Sequence, residues 1–204
     1  MGRKIHPNKH IEEQLIGVNM EGVNMKHYNF ILIISGITEP SEGVEDGLFE
    51  AGCDDATLSF RHRLCYLEFD RVASSFKDAV ISAIQQVESV NSNLVVERVE
   101  PDDLVTASQI AHRIGKTREY VRLLIEGKRG AGNFPIPITG IYNKSLMWSW
   151  TKVSKWLMKS SLLDTESVQI AQDIADINNA LFYRGDAVAM TRINELNKRL
   201  VATL

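Results

Sequence analysis

Helix caps, apolar spacing, turn residues and positive charge agree most closely between Val105 and Leu157: VTASQIAHRIGKTREYVRLLIEGKRGAGNFPIPITGIYNKSLMWSWTKVSKWL. Thr106 stands three residues before Gln109, the spacing of a capping box, in which each side chain can satisfy a backbone N–H group at the other position. This spacing predicts a helix that begins near Ala107. Its apolar face would consist of Ile110, Ala111 and Ile114. A glycine then follows where a left-handed residue can end the helix.

A second short helix is predicted directly after the first. Thr117 is its N-cap candidate, and the helix would end at Gly127. Its inner face would consist of Val121, Leu124 and Ile125. Ala111, Gly115 and Val121 are four and then six residues apart, as a helix-turn-helix requires, because the first must be small, the second must permit a tight turn, and the third packs into the angle.

The outward face of the second helix is positively charged. This face and its flanks carry Lys116, Arg118, Glu119, Arg122, Lys128 and Arg129. Guanidinium groups can bind guanine edges with two hydrogen bonds, and lysines can bind phosphates, so the face suits a major groove of DNA. We predict base contacts from Arg118, Glu119 and Arg122. Contacts to phosphates or the groove wall are predicted from Lys116, Thr117, Tyr120, Lys128, Arg129 and Lys144.

A small β-hairpin is predicted after the second helix. The segment from Gly130 to Gly140 is rich in glycine and proline, which disfavour helix. Ile141-Tyr142 and Leu146-Met147-Trp148 favour strand. The tip, Asn143-Lys144-Ser145, would bring a positive charge to a phosphate or a minor groove. A buried cluster joining this hairpin to a closing helix would consist of Trp148, Trp150, Val153, Trp156 and Leu157.

The motifs IA..IGKTREYV..LI.G, FP.P and W.W..V..WL together resemble a known family. They are similar to the winged helix-turn-helix of phage excisionases, AlpA-type regulators and the DNA-binding head of MerR-type regulators, over about a quarter of the chain. The resemblance implies that residues 118–126 form the recognition helix and that the hairpin around Lys144 is the wing. The segment from Lys128 to Asn133 is longer and richer in glycine than the resemblance implies.

Charge is distributed unevenly along the chain. Of the 204 residues, 44% are hydrophobic and 24% charged, as in an ordinary globular protein, and the net charge is −3. Residues 28–104 contain five Lys/Arg and fifteen Asp/Glu, a net of −10, whereas residues 105–157 contain nine and two, a net of +7. A basic segment inside an acidic protein indicates a phosphate-binding surface.

The composition also bounds the setting. Two cysteines, Cys53 and Cys65, cannot build a disulfide framework, and we expect them to be reduced. No apolar run approaches the roughly 20 residues of a membrane span, and the first residues lack the apolar core of a signal peptide. We therefore expect a cytoplasmic protein without a membrane partner.

A small α+β domain is predicted before the basic segment. Residues 1–27 are expected to be a mobile tail. Phe30 to Ile34 predicts a buried central strand, and residues 39–46 an acidic loop. Two alternating strands about Arg61-His62-Arg63, a helix capped by Ser74 or Ser75, and a strand over 94–99 complete the domain.

This domain offers two weaker alternatives for chemistry. Asp54, Asp55, Glu68 and Asp70 could together hold a divalent metal for phosphoester chemistry. Cys53, Cys65 and His62 could be zinc ligands, but they lack the paired short spacings of structural zinc sites. We recognise no enzyme motif, and we predict no catalysis, no metal and no cofactor.

The last forty residues predict two more helices, each with one narrow apolar seam. The first seam would consist of Ile170, Ile174, Ile177 and Leu181, and the second of Ala189, Ile193, Leu196 and Leu200. These helices could close on each other as a hairpin and pair with a second copy, or pack on the acidic domain. We expect a homodimer built at least partly by residues 165–203.

The predicted organisation is α+β: a mobile tail (1–27), a small α+β domain (28–101), a winged helix-turn-helix (102–160) and C-terminal helices (161–204). The predicted function is a transcriptional regulator that binds double-stranded DNA sequence-specifically. One alternative is an excisionase-like factor that shapes DNA. Another is an enzyme or small-molecule sensor in residues 28–104 that the basic segment delivers to DNA. The sequence does not indicate an effector.

Overall fold

The computed structural model describes residues 24–39, 42–91, 93–142 and 145–201. The elements in chain order are β1 (Lys26–Ser35), α1 (Glu42–Glu50), β2 (Ala56–Arg61), β3 (Leu64–Ala73), α2 (Phe76–Val90), β4 (Val95–Glu100), β5 (Leu104–Thr106), α3 (Ala107–Arg113), α4 (Arg118–Ile125), β6 (Met147–Ser149), α5 (Trp150–Lys159), α6 (Thr165–Phe182) and α7 (Ala187–Val201). This mixture confirms the predicted α+β class. Among the helices in those ranges, none is long and apolar enough to cross a membrane.

The first six elements form a sheet unit, which we define as residues 26–100. Its antiparallel strands lie in the order β2-β3-β1-β4. With α1 between β1 and β2, and α2 between β3 and β4, this is the interleaved arrangement of two split β-α-β units. β1 is central, as predicted, and alternate residues of β1 enter the core: Tyr28, Phe30, Leu32 and Ile34.

The predicted acidic loop over residues 39–46 is wrong, because residues 42–50 form helix α1. Leu48 of this helix is buried in the sheet core, and Val44 packs against that core. A Cβ atom added to Gly47 would lie 2.6 Å from Cγ1 of Val90, so this glycine allows α1 to approach α2 closely. Packing therefore stabilises a helix whose two glycines, Gly43 and Gly47, disfavour it locally.

The predicted hairpin of β2 and β3 is confirmed. Its two-residue turn consists of His62 and Arg63, whose φ angles are 51° and 67°. Positive φ at both positions is the geometry whose twist matches that of paired strands. β3 continues to Ala73, so Asp70 lies inside this strand.

The basic segment forms a helical unit, which we define as residues 104–159. β5 pairs with β6, and α3, α4 and α5 pack around one core. The buried residues of this core are Val105, Ile110, Ala111, Val121, Leu124, Trp148, Trp150, Val153 and Leu157, joined by Ala171 of α6. The predicted tryptophan cluster is therefore present, with Trp156 partly buried at its edge.

Helix α6 belongs to both cores, since Ala171 lies in the core of the helical unit while Ile174 and Ile177 lie in that of the sheet unit. The side chain of Asn178 in α6 binds the edge strand β4 through two hydrogen bonds. Its amide oxygen accepts from the Val99 N–H at 2.7 Å, and its amide nitrogen donates to the Val99 carbonyl at 2.9 Å. The first C-terminal seam is therefore covered by the protein's own sheet. Of the two arrangements considered for this seam, packing on the acidic domain is the one observed.

The predicted closure of the last two helices on each other is not observed. Among its described side chains, α7 has no buried residue. The predicted mobile tail, 1–27, also needs correction at its end, since Lys26 and His27 already belong to β1, and Lys26 binds Glu166 of α6 at 2.7 Å. Residues 1–23 lie outside the described part of the chain.

Candidate nucleic-acid interface

Two glycine-terminated helix ends hold α3 and α4 at a fixed angle. Thr106 and Gln109 form the predicted capping box at the start of α3. At the end of α3, the Lys116 N–H donates to the Ala111 carbonyl (2.9 Å), and the Gly115 N–H donates to the His112 carbonyl (3.2 Å). Gly115 has a φ of 62°, which a side chain would strain. These bonds satisfy carbonyls that would otherwise lack partners.

The end of α4 repeats this arrangement. Thr117 caps its start by accepting from the Tyr120 N–H at 3.1 Å. At its end, the Lys128 N–H donates to the Leu123 carbonyl (2.9 Å), while the Gly127 N–H donates to that of Leu124 (3.1 Å). Val121 and Leu124 are buried, so the opposite side of α4 is left outward-facing. The predicted α4 boundaries are confirmed to within one or two residues.

A cluster of two cations lies on the ring of Tyr120. The guanidinium carbon of Arg129 lies 4.4 Å from the ring centroid, and Nζ of Lys116 lies 5.9 Å from it. The ring therefore brings together one cation that precedes α4 and one that follows it. Arg118 is exposed at the start of the same helix. Lys116, Tyr120 and Arg129 thus form one cluster of the candidate surface.

Arg122 lies in a different environment, because two carboxylates hold its guanidinium. Its Nε and Nη2 donate to the two oxygens of Glu119 at 2.8 and 2.6 Å, and Nη1 also bonds Glu126. Glu126 in turn binds Nζ of Lys128 at 2.7 Å. The predicted base-contacting residues are thus split, with Arg118 outside this network and Arg122 inside it.

The network alters the titration of its members. The hydrogen bond from Arg122 holds the pKa of Glu119 below its usual range. Hydrogen bonds from Lys128 and then from Arg122 do the same for the pKa of Glu126. Both acids therefore stay charged near neutral pH. Helical spacing could have revealed these partners, since Glu119 and Glu126 lie three residues before and four residues after Arg122.

The segment after α4 is fixed to α5 by aromatic residues. The indole N–H of Trp156 donates to the Gly132 carbonyl at 2.9 Å, and that of Trp148 donates to the Pro135 carbonyl at 3.0 Å. The ring of Phe134 packs edge-on against both tryptophans, with centroids 5.0 and 6.3 Å away. The glycine-rich segment that exceeds the resemblance is therefore anchored by these contacts.

The predicted hairpin strands are only partly correct. Thr139 bridges to Met147, and β6 pairs on its other side with β5. Ile141 and Tyr142 form an exposed turn and not a strand. The reason is Gly140, whose φ is 95° and whose added Cβ would lie 2.2 Å from the Ser145 carbonyl oxygen. Lys144, the predicted tip, lies outside the described residues, as does Asn143.

Five large apolar side chains on this hairpin are exposed: Ile136, Ile138, Ile141, Tyr142 and Leu146. The sequence predicts only turn and strand for this segment, although its apolar residues follow no helical period that would bury them on one face. Arg113 is a further residue that the prediction missed. Its guanidinium lies 4.8 Å from the Trp150 ring centroid and donates to the Asp102 carbonyl. Burial of this guanidinium lowers the pKa of Arg113.

The alternative sites in the sheet unit are not assembled. Asp55 binds the buried Arg71 through both carboxylate oxygens at 2.8 Å, whereas Asp70 bonds the ring of His27. Within the ranges that the structure describes, no cluster of three or more His, Cys, Asp or Glu side chains has the geometry to hold a metal ion. Cys53 and Cys65 are buried free thiols, and burial raises the pKa of Cys65 to about 11.

No protein-family model, curated protein or solved structure matches this chain.

Proposed function

We propose that this protein is a sequence-specific regulator that binds double-stranded DNA as a winged helix-turn-helix, with α4 in the major groove and the hairpin of residues 134–147 as the wing. The observation that carries the proposal is the pairing of α3 and α4. Two glycine-terminated helix ends and a buried Ala111–Val121 contact region leave α4 with one outward face, and that face is flanked by cations. This is how a recognition helix is presented to a groove.

The balance of charge supports the same proposal. Residues 105–157 have nine Lys/Arg against two Asp/Glu, and both acids, Glu119 and Glu126, already bind Arg122. Most of the remaining cations therefore cannot find an acidic partner within the segment. Phosphates of a DNA backbone would neutralise them with release of counterions.

The contacts suggest a division of roles on α4. Arg118 is the base-reading candidate, because it lies on the first exposed turn and outside the carboxylate network. Lys116 and Arg129, held beside Tyr120, would bind backbone phosphates. Arg122 would have to exchange Glu119 or Glu126 for a DNA group, so its contribution to affinity should be smaller than that of Arg118.

Salt dependence of binding to duplex DNA tests this proposal. The affinity should fall steeply with salt concentration, and replacing Arg129 or Lys116 by Ala should reduce the slope by about one unit for each lost phosphate contact. Arg61→Ala is the matched control, because Arg61 is an exposed arginine of the acidic sheet unit. A salt-insensitive complex, or an equal effect of Arg61→Ala, would contradict the proposal.

The proposed regulator acts as a homodimer. A single basic unit of this size makes few base contacts, and two units related by a two-fold axis would read two half-sites about 10 base pairs, or a multiple of that distance, apart. Since the seam of α6 is covered by the sheet unit, the contribution of residues 165–203 to the dimer would come from α7.

The wing favours a second candidate function, a factor that bends DNA. Ile141 and Tyr142 are adjacent in the turn, and they are 76% and 101% exposed. Apolar side chains on minor-groove proteins can enter between base steps and kink the duplex. Fluorescence energy transfer between the ends of a bound duplex should then report a bend that Tyr142→Ser removes and Ile136→Ser retains. A straight complex would rule this candidate out.

A further inference from the structure

Helix α7 leaves its described side chains outside both cores. It has 15 residues and buries none of them. Isolated helices of this length are marginal in water, and most helical stability in proteins comes from packing of an apolar face. Its exposed apolar residues are Val188, Met190, Leu196, Leu200 and Val201.

The start of α7 is nevertheless held in place. Arg184, in the turn before it, donates to both carboxylate oxygens of Glu88 at 2.8 and 2.9 Å and to the Val96 carbonyl at 3.2 Å. Asp186 then caps the helix by accepting from the Ala189 N–H at 2.8 Å. The sheet unit therefore fixes the point from which α7 extends, while α6 has already used its own apolar seam.

The apolar residues of α7 have the period of a two-stranded coiled coil. Ala189, Ile193, Leu196 and Leu200 are four, three and four residues apart, which assigns Ile193 to an a position and Leu196 to a d position of a heptad. In parallel coiled coils, a β-branched residue at a with leucine at d favours two strands over three or four. This heptad would place the seam of α7 against the same seam of another helix.

The charges that flank this seam favour a parallel orientation of the two helices. Arg192 and Arg199 occupy the g positions, whereas Met190 and Asn197 occupy the e positions. In a parallel pair, g faces e of the partner, so Arg192 would face an uncharged Asn197. In an antiparallel pair, g faces g, and Arg192 would face Arg199, a repulsion of like charges. A second copy in the parallel orientation therefore fits the surface best.

We propose that α7 is a self-pairing surface, which binds α7 of a second copy in parallel through Ala189, Ile193 and Leu196. This gives residue-level detail to the homodimer of the proposed function, but the pairing itself does not depend on DNA. The two anchored helices would hold two basic units about one two-fold axis. The contact is short, so the dimer should dissociate on dilution.

Cysteine cross-linking of the full chain tests this pairing in the absence of DNA. In a parallel pair the two copies of residue 196 meet across the seam, so Leu196→Cys should give a disulfide-linked dimer on mild oxidation. The unmodified chain is the reference, because Cys53 and Cys65 are buried. Thr191→Cys is the matched control, since Thr191 is exposed on the opposite side of α7 and should not cross-link. The helix buries no residue, so these variants should fold.

Three outcomes would overturn the proposal. Equal cross-linking of Thr191→Cys would indicate random collision. If Leu196→Cys does not cross-link but the Ile193→Cys/Leu196→Cys double variant does, the pairing is antiparallel, because residue 193 of one helix then faces residue 196 of the other. A monomeric mass of the unmodified chain at every accessible concentration, without cross-linking, would show that α7 does not pair. Because no DNA is present, each of these results leaves the DNA-binding proposal to be judged separately.

Discussion

The sheet unit and the helical unit both enclose a buried apolar core, but their surfaces carry opposite charge. In the sheet unit, two arginines have acidic partners, since Arg71 binds Asp55 and Arg98 binds Glu100. In the helical unit, Arg122 and Lys128 bind both acidic residues of the segment 105–157. The other seven Lys and Arg residues of this segment therefore have no acidic residue left within it. We infer that the two apolar cores determine how each unit folds, whereas the excess of positive charge on the helical unit favours that unit for an anionic ligand.

The largest expected effect concerns the two cores. Leu32 of the sheet unit and Leu124 of the helical unit are both 0% exposed, and replacing either by Ala should lower the free energy of unfolding by about 2–5 kcal/mol. Since α6 enters both cores, both variants should shift one common unfolding transition. Two separate transitions in thermal denaturation, each moved by only one variant, would contradict the shared role of α6.

A smaller effect is expected on α4, where two arginines differ in their partners. Arg118→Ala should cost about 1–3 kcal/mol at one base pair and relax the preference there. Arg122→Ala is the matched comparison. It should reduce the binding free energy less than Arg118→Ala, because Arg122 is bound to Glu119 and Glu126 in the protein without DNA. Binding measured on a set of single-base variants checks this. Uniform weakening by Arg118→Ala on all sequences would make it a phosphate contact instead.

The smallest effect is a gain of affinity. Glu126→Gln removes a charge that binds Arg122 and Lys128, so DNA affinity should increase by a small factor, roughly fivefold or less. Because hydrogen bonds lower the pKa of Glu126 from its usual range, the acid is ionised at both pH 6 and pH 8. The gain should therefore be equal at these two pH values. A gain that vanishes at pH 6 would show that Glu126 titrates there and would refute this assignment.

The sequence was most informative where structure is local. The caps at Thr106 and Thr117 and the glycine after each helix depend on neighbouring residues, so they could be predicted with their boundaries. The pairing of Arg122 was equally local and could have been inferred from helical spacing. Helix α1 could not, because Gly43 and Gly47 disfavour helix, and only contact with the sheet core and α2 stabilises it.

Other features depend on contacts distant in sequence. The seam of α6 was visible, but a seam does not indicate which surface will cover it, and here the sheet supplies most of that surface. The end of the hairpin ladder at Thr139 depends on the close approach of Gly140 to the Ser145 carbonyl. Because α1 was not predicted, the split β-α-β topology could not be predicted either, since this topology requires a helix that connects β1 to β2.

The most direct test of the central claim is selection of bound sequences from a random pool of duplex DNA by the full chain. We expect a common motif with two inverted half-sites about 10 base pairs, or a multiple of that distance, apart. We also expect that the preference at one position in each half-site is lost with Arg118→Ala. A recovered pool without any common sequence, or one that is unchanged by Arg118→Ala, would contradict the claim that α4 reads DNA.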